Sequence, residues 1–269
     1  MRVGIFIRTY KGLDLQDALS SMRKDHIKYG QFNMSCVGQN TMPDFYSDKV
    51  VQYISNCVNE NEIVLDGISG TFNILKAGSN DFVKFENLAK IASSLGIKII
   101  TVCTGSMSNN MWEYHPDNST AEAWNIMSSS LEKMLEIANK YNLIIGIEPE
   151  ASNVISNADK AYQLMKQYEG KNIGIVFDAA NLLPNTDLSK QEDTLKHAFD
   201  LLGEYIISAH AKDYDPNLKF VCAGKGKLNY DLYIDLLKKY NYKGTLMLHQ
   251  LDITQIEESV AFIVKLIEE

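Results

Sequence analysis

Arginine is scarce in this 269-residue chain: Arg2, Arg8 and Arg23 stand beside 23 lysines, and 34 acidic residues bring the formal charge to −8. Nucleic-acid binders draw much of their affinity from cations that neutralise phosphates, and bidentate arginine is the usual reader of phosphate and guanine. The balance therefore argues against a nucleic-acid partner. Cysteine is sparse too: Cys36, Cys57, Cys103 and Cys222 are scattered without a CxxC pair, which excludes a disulfide framework and reads as reduced, mostly buried thiols. No stretch approaches the ~18 apolar residues of a membrane span. The opening MRVGIFIRTY has an apolar run of only five residues before Arg8, too short for a secretory signal. A cytoplasmic location with no membrane partner is the default expectation. No Pro/Gly/Ser-rich linker or charge block offers a place to divide the chain, so residues 1–269 are expected to form a single domain.

What is present is a large apolar complement, 45% hydrophobic against 22% charged, enough to bury a sizeable core. The length is about twice a usual single-core domain unless the chain closes an α/β barrel, which needs ~250 residues. Eight short β-branched runs decide the point: 3–7, 29–35, 62–68, 97–103, 143–148, 173–178, 205–210 and 245–249. Helical patterns lie between them. Two are expected to open with capping boxes, Ser119 with Glu122 and Thr254 with Glu257; simpler caps are Asp14, Ser47, Asp81, Asn157 and Asn229. Strands alternating with helices pair in parallel through right-handed crossovers, so eight units predict an α/β fold of one (β/α)8 TIM barrel. An open doubly wound sheet is the alternative, but RTYKGLD after the first run lacks its glycine-rich phosphate fingerprint.

Barrel chemistry collects at the C-terminal strand ends. The last four runs end in Glu148, Asp178, His210 and His249, at intervals of 30, 32 and 39 residues, close to one barrel repeat each. Such an O/O/N set suits one divalent metal ion: Mn²⁺ first, with Co²⁺, Fe²⁺ or Zn²⁺ also suited. The competing reading of each, a loop cap or hydrogen-bonded structural residue, is weakened by their common spacing.

The segments IGIEPEASN, IVFDAANLL, ISAHAKDY, AGKGKLNYDLYIDLL and YKGTLML, in this order, resemble the xylose isomerase-like TIM-barrel family of sugar isomerases and epimerases, inosose dehydratases and endonuclease IV relatives. The resemblance implies Glu148, Asp178 and His210 as ligands of one divalent metal. It also exposes two departures. His249 stands where the family usually has a glutamate, and Asn181 where many relatives have histidine. Loss of that glutamate puts two-glutamate epimerisation in doubt, because inversion needs acid/base groups on both faces of the substrate. His249 is then a fourth ligand, an acid/base, or neither, with Gln250 or Glu150 completing the shell. Ligation is preferred, since position on a strand fixes direction more firmly than pKa.

Strand alternation places Lys212 with His210 and Glu150 with Glu148. Lys212 is a candidate for stabilising oxyanion charge, the alternative being an ion pair with Asp213. Glu150, Asn153 and Asn181 are candidate substrate contacts, Asn181 alternatively capping the loop before Pro184. In the loop SMSNNMWEYHPDNS, Trp112, Tyr114 and His115 are candidates for an aromatic lid. Gly224-Lys225-Gly226 invites a phosphate reading, but arginine scarcity points to a neutral polyol, with Lys225 kept as a phosphate contact in reserve.

The expected activity is proton transfer next to a carbonyl of a small ketose or polyol-derived substrate by a metal-dependent isomerase or epimerase, with Glu148, His249 and Lys212 as catalytic residues. The alternatives are a dehydratase of a keto-sugar or keto-inositol, a non-catalytic sugar-binding relative, and an endonuclease IV-like phosphodiesterase. The last is disfavoured by charge and by the absence of histidine in the second and third runs. Self-association into a homo-oligomer is left open.

Overall fold

The computed structural model describes residues 1–183, 188–217 and 219–269. Eight parallel strands close on themselves: β1 (Arg2–Phe6), β2 (Tyr29–Phe32), β3 (Val64–Ser69), β4 (Ile99–Cys103), β5 (Ile144–Glu148), β6 (Ile173–Asp178), β7 (Ile206–Tyr214) and, after a short β8 (Phe220–Cys222), β9 (Thr245–Leu248). Each neighbours the next in chain order, with β7 pairing β9 and β9 returning to β1. This is the (β/α)8 barrel the alternation predicts, with β9 as its eighth strand. β8 was not expected: β7 runs past the barrel to Tyr214 and pairs antiparallel with it, Lys212 opposite Cys222. The long run ISAHAKDY carries no local signal for where barrel pairing ends and hairpin pairing begins.

Helices α1 (Leu15–Lys24), α2 (Asp48–Glu60), α3 (Ser79–Ser94), α4 (Ala121–Lys140), α5 (Ala158–Gln167), the short α6 (Ala179–Leu182), α7 (Gln191–Leu202), α8 (Tyr230–Lys239) and α9 (Ile256–Glu268) follow the strands. Side-chain oxygens of Asp14, Ser47, Asn157 and Asn229 accept from first-turn amides as anticipated. Three starts move. Thr120, not Ser119, caps α4, accepting from the Ala123 amide, because Ser119 closes a 3-10 turn and donates to the Pro116 carbonyl. Asp252 with Gln255, not Thr254 with Glu257, forms the box ahead of α9. Asp81 lies inside α3 and accepts from the Gly78 amide. In each case a neighbouring oxygen competes for the same orphan N–H groups, and the turn before the helix decides.

The barrel interior is filled by side chains from alternate strands. Gly174 is required there, because a Cβ would stand 2.6 Å from Ile207. On α4 the residues Ala123, Met127, Leu131, Met134 and Ala138 are fully buried at helical spacing against the sheet. Each large one contributes roughly 1.5–3 kcal/mol. No helix among the described residues is long and apolar enough to cross a membrane.

Candidate active site

Glu148 and Asp178 end β5 and β6, His210 lies in β7, and His249 follows β9, donating its backbone N–H to the Ala211 carbonyl at 3.1 Å. Repeat spacing predicts four neighbours at one level, but strand register divides them. Asp178 pairs with His210 across β6 and β7, and Cys103 pairs with Glu148 across β4 and β5. Ile147 pairs with Ile175, so Glu148 faces Val176, two residues short of Asp178. This is the stagger of a closed barrel. Two groups result, each with potential ligand atoms within 4.8 Å of one another: Asp178, His210 and His249, and Cys103, Glu148 and Glu150.

The first group leaves three buried polar atoms without a hydrogen bond: Asp178 Oδ2, His210 Nε2 and His249 Nδ1. Asp178 Oδ2 has the Lys212 ammonium 3.2 Å away, but the two imidazole nitrogens have no polar partner, and native proteins rarely bury such atoms unpaired, at ~1–3 kcal/mol each. A carboxylate oxygen and two imidazole nitrogens form a donor set that divalent metals take, so these residues fit a cation. The second group fits less well. Burial and the Glu148 and Glu150 charges push the Cys103 thiol well above its ordinary range, which keeps it protonated and a poor ligand.

The two groups are joined. His210 Nδ1 lies 3.2 Å from Glu148 Oε1 and 3.6 Å from Asp178 Oδ2. The Asn181 amide donates to Glu148 Oε1 at 2.9 Å and to Glu150 Oε1 at 2.8 Å, and its Oδ1 accepts from Lys212. Asn181 is therefore buried against the site rather than spent on a loop cap. Pro184, the loop residue of that alternative, lies outside the described residues. The Lys212 ammonium stands 3.2 Å from Asp178 Oδ2 and 3.8 Å from the centre of the Phe220 ring. It does not pair with Asp213. The Asp213 carboxylate accepts the amides of Tyr214, Gly224, Gly226 and Leu228 and so holds the turn after β8. That arrangement removes the phosphate reading of Gly224-Lys225-Gly226, since the two glycine N–H groups point at Asp213 and Lys225 pairs with Glu258. A Cβ at Gly226 would come 2.3 Å from the Tyr214 carbonyl, so the turn needs glycine there.

Electrostatics separates these groups. Burial disfavours a charge on His210, but Glu148, together with contacts to Asp178, outweighs it and raises the imidazole to about 9, a proton that a bound cation would displace. Burial also opposes ionisation of Asp178, yet Lys212 and His210 hold it below the usual carboxylate range. Glu150 is pushed up to about 8 by burial and by the Glu148 charge. His249 is driven well below the ordinary histidine range by burial, His210 and Lys212, and is neutral. Its ring stacks on Phe6 at 4.1 Å between centroids.

Glu148, Glu150, Lys212 and His249 line a cleft of about 780 Å³, whose other wall holds Gln31, Ser69, Thr101 and Trp112; Asp178 and His210 are buried and do not reach its lining. Of the expected lid residues only Trp112 lines it. His115 accepts from the Asp117 amide at 3.2 Å and caps its own loop, and Tyr114 projects away, 65% exposed. Asn153 is buried behind the cleft: it accepts from Gly105 N–H at 2.8 Å and donates to the Met111 carbonyl at 2.9 Å, leaving no amide for a substrate. Sequence reasoning missed Gln31, Ser69, Thr101, Cys103 and Arg8. The only signal for Gln31 was a polar residue inside an apolar strand.

A family model for the xylose isomerase-like TIM barrel matches residues 32–266. The chain belongs to this family. A search of curated proteins finds no significant match. Among solved structures, it is similar to a D-tagatose 3-epimerase-like protein (18% identity, TM-score 0.79, covering 100% of this chain and 97% of that one). It is also similar to a probable 3-DHS dehydratase, AsbF, from Bacillus anthracis (12%, 0.78, 98% and 99%), and to the IOLI protein with a bound zinc atom (15%, 0.75, 100% and 98%). At these identities the likeness establishes the family fold.

Proposed function

We propose that this xylose isomerase-like barrel is a divalent-metal-dependent enzyme that moves a proton at the carbon next to the carbonyl of a small ketose or polyol-derived substrate. The observation that carries the reading is the cluster of potential ligand atoms on Asp178, His210 and His249, within 4.8 Å of one another and including residues whose buried imidazole nitrogens, His210 Nε2 and His249 Nδ1, have no hydrogen bond, beside Glu148 at the barrel mouth. Those three residues would hold the ion, with Glu148 the nearest further donor. Two imidazoles to one carboxylate favour Zn²⁺, Co²⁺ or Fe²⁺ over the Mn²⁺ suggested by the sequence. When bound, such an ion supplies Lewis-acid polarisation of a carbonyl oxygen.

The chain's own residues supply the rest. Glu148 and Glu150 leave β5 two residues apart, and each commits its Oε1 to Asn181, which leaves Oε2 of each for the cleft. Glu148 serves as the base. Glu150, holding its proton at neutral pH, serves as the acid, and Lys212 places positive charge where an oxyanion develops. Both carboxyl groups leave the same strand, and the end of β9 holds a neutral His249 instead of a further carboxylate. That geometry supports isomerisation by transfer along one face over inversion of a stereocentre. A second reading is supported by Glu150 alone: an acid beside a base also suits β-elimination of a hydroxyl, the dehydratase alternative.

The test is deuterium exchange. In D₂O with added metal the enzyme is expected to wash deuterium into the carbon beside the carbonyl of its ketose, and Glu148→Gln to abolish this. Loss of water during exchange would select elimination. No exchange across a broad panel of ketoses, in protein that also retains no divalent metal, would replace the enzyme reading with a non-catalytic sugar-binding one.

A further inference from the structure

We infer that Arg8 is the anchor for an anionic group, so that the substrate of this site is a small carbonyl compound bearing a terminal phosphate or carboxylate. This rests on the proton-transfer reading above and adds the substrate class. Of the three arginines, Arg2 lies 3.8 Å from Asp66 and Arg23 lies 3.0 Å from Glu62. Arg8 alone has no carboxylate partner among the described residues, in a chain with 34 acidic side chains. Its one polar side-chain contact is a long one, 3.4 Å to His249 Nε2, and a guanidinium has five N–H donors. Most of its donors are therefore uncommitted.

It is solvent-exposed at the edge of an aromatic pair. The guanidinium lies 5.6 Å from the centre of the Phe6 ring, and Phe6 itself stacks on His249. Arg8 stands where the 780 Å³ cleft opens into a second lobe of about 560 Å³. Phe6, Arg8, Phe220, His249 and Gln250 line both lobes, so the space is continuous. The lobes differ in how their charges are arranged. The deep lobe sets the Lys212 ammonium beside Glu148 and Glu150. The outer lobe carries Arg8 and Lys11 against one acid, Asp252.

A substrate spanning both lobes places its carbonyl carbon among the glutamates and its negative end on Arg8, one imidazole ring away from the orphaned ligand atoms. Arginine presents a planar fork suited to either carboxylate or phosphate. The low arginine count, read from the sequence as favouring a neutral polyol, is thus outweighed by where one arginine stands.

The experiment uses calorimetric titration of the whole protein with inorganic phosphate and with malonate, in wild type, Arg8→Gln, Arg8→Lys and the surface control Lys225→Gln. Wild type and Lys225→Gln are expected to bind one of the anions at about millimolar concentration, Arg8→Gln about 10- to 100-fold more weakly, and Arg8→Lys in between. The anion preferred names the group. In the exchange assay Arg8→Gln is expected to raise KM for the anionic ketose and leave kcat nearly unchanged. Equal anion binding by wild type and Arg8→Gln, no binding of either anion by wild type, or neutral ketoses exchanging as fast as anionic ones would each overturn the inference. Arg8-dependent anion binding without exchange on any ketose would instead sink the proton-transfer reading and leave the anion site standing.

Discussion

On one side of the barrel mouth, Gln31 of β2 donates to Ser69 of β3 at 3.2 Å and to Thr101 of β4 at 2.9 Å, a neutral network whose members satisfy one another. On the other side, Asp178 and His210 bury charge, and His210 Nε2 and His249 Nδ1 are left without a partner. Both sides are buried strand ends of one barrel. The difference teaches where to look for chemistry: a closed polar network stabilises and orders, whereas an open one is tolerated only where something else completes it.

Four measurements bear on that contrast. The largest effect is expected from Asp178→Ala, which leaves the Lys212 ammonium and His210 without their buried counter-charge; urea unfolding should show a loss of about 3–5 kcal/mol. Next, Asp213→Ala should cost about 3 kcal/mol by the same measurement, because four backbone amides lose their acceptor, while metal binding in calorimetry stays intact. Third, adding Zn²⁺ at about one hundred times its Kd to chelator-treated protein should stabilise it by about 2.7 kcal/mol, seen as a rise in Tm. His249→Ala should remove most of that rise. The smallest effect is expected from Gln31→Leu, about 1–2 kcal/mol, with the metal-dependent rise in Tm unchanged. If Gln31→Leu abolished the metal response, or His249→Ala left it whole, the division of the mouth into a structural and a functional half would fail.

The barrel was legible because β-branched runs and helical stripes recur at a period close to one βα unit, and this signal is local. Helix starts were legible where one oxygen stood alone, as at Asp14 and Asn229. They slipped by one or two residues where Ser119 competed with Thr120 and Thr254 with Asp252, because the geometry of the preceding turn selects among equals. At the site, the strand-end positions of Glu148 and Asp178 and the inward parity of Lys212 followed from pattern. The partners did not. Lys212 next to Asp213 in sequence reads as an ion pair, but adjacent strand residues point to opposite faces, so Lys212 meets Asp178 while Asp213 meets a turn.

The sequence by itself determined which residues crown the strands and that the chain closes a barrel, because both depend on periodicities of two, 3.6 and one repeat that a string of residues carries. Only the tertiary structure decided that register sets Glu148 two residues below Asp178, that Asn181 ties both glutamates to Lys212, that Asn153 is spent on the loop after β4, and that Arg8 stands at the mouth with no carboxylate partner. Those are relations between residues 28 to 241 positions apart, and they follow from the stagger of the closed sheet and from what each burial leaves unsatisfied.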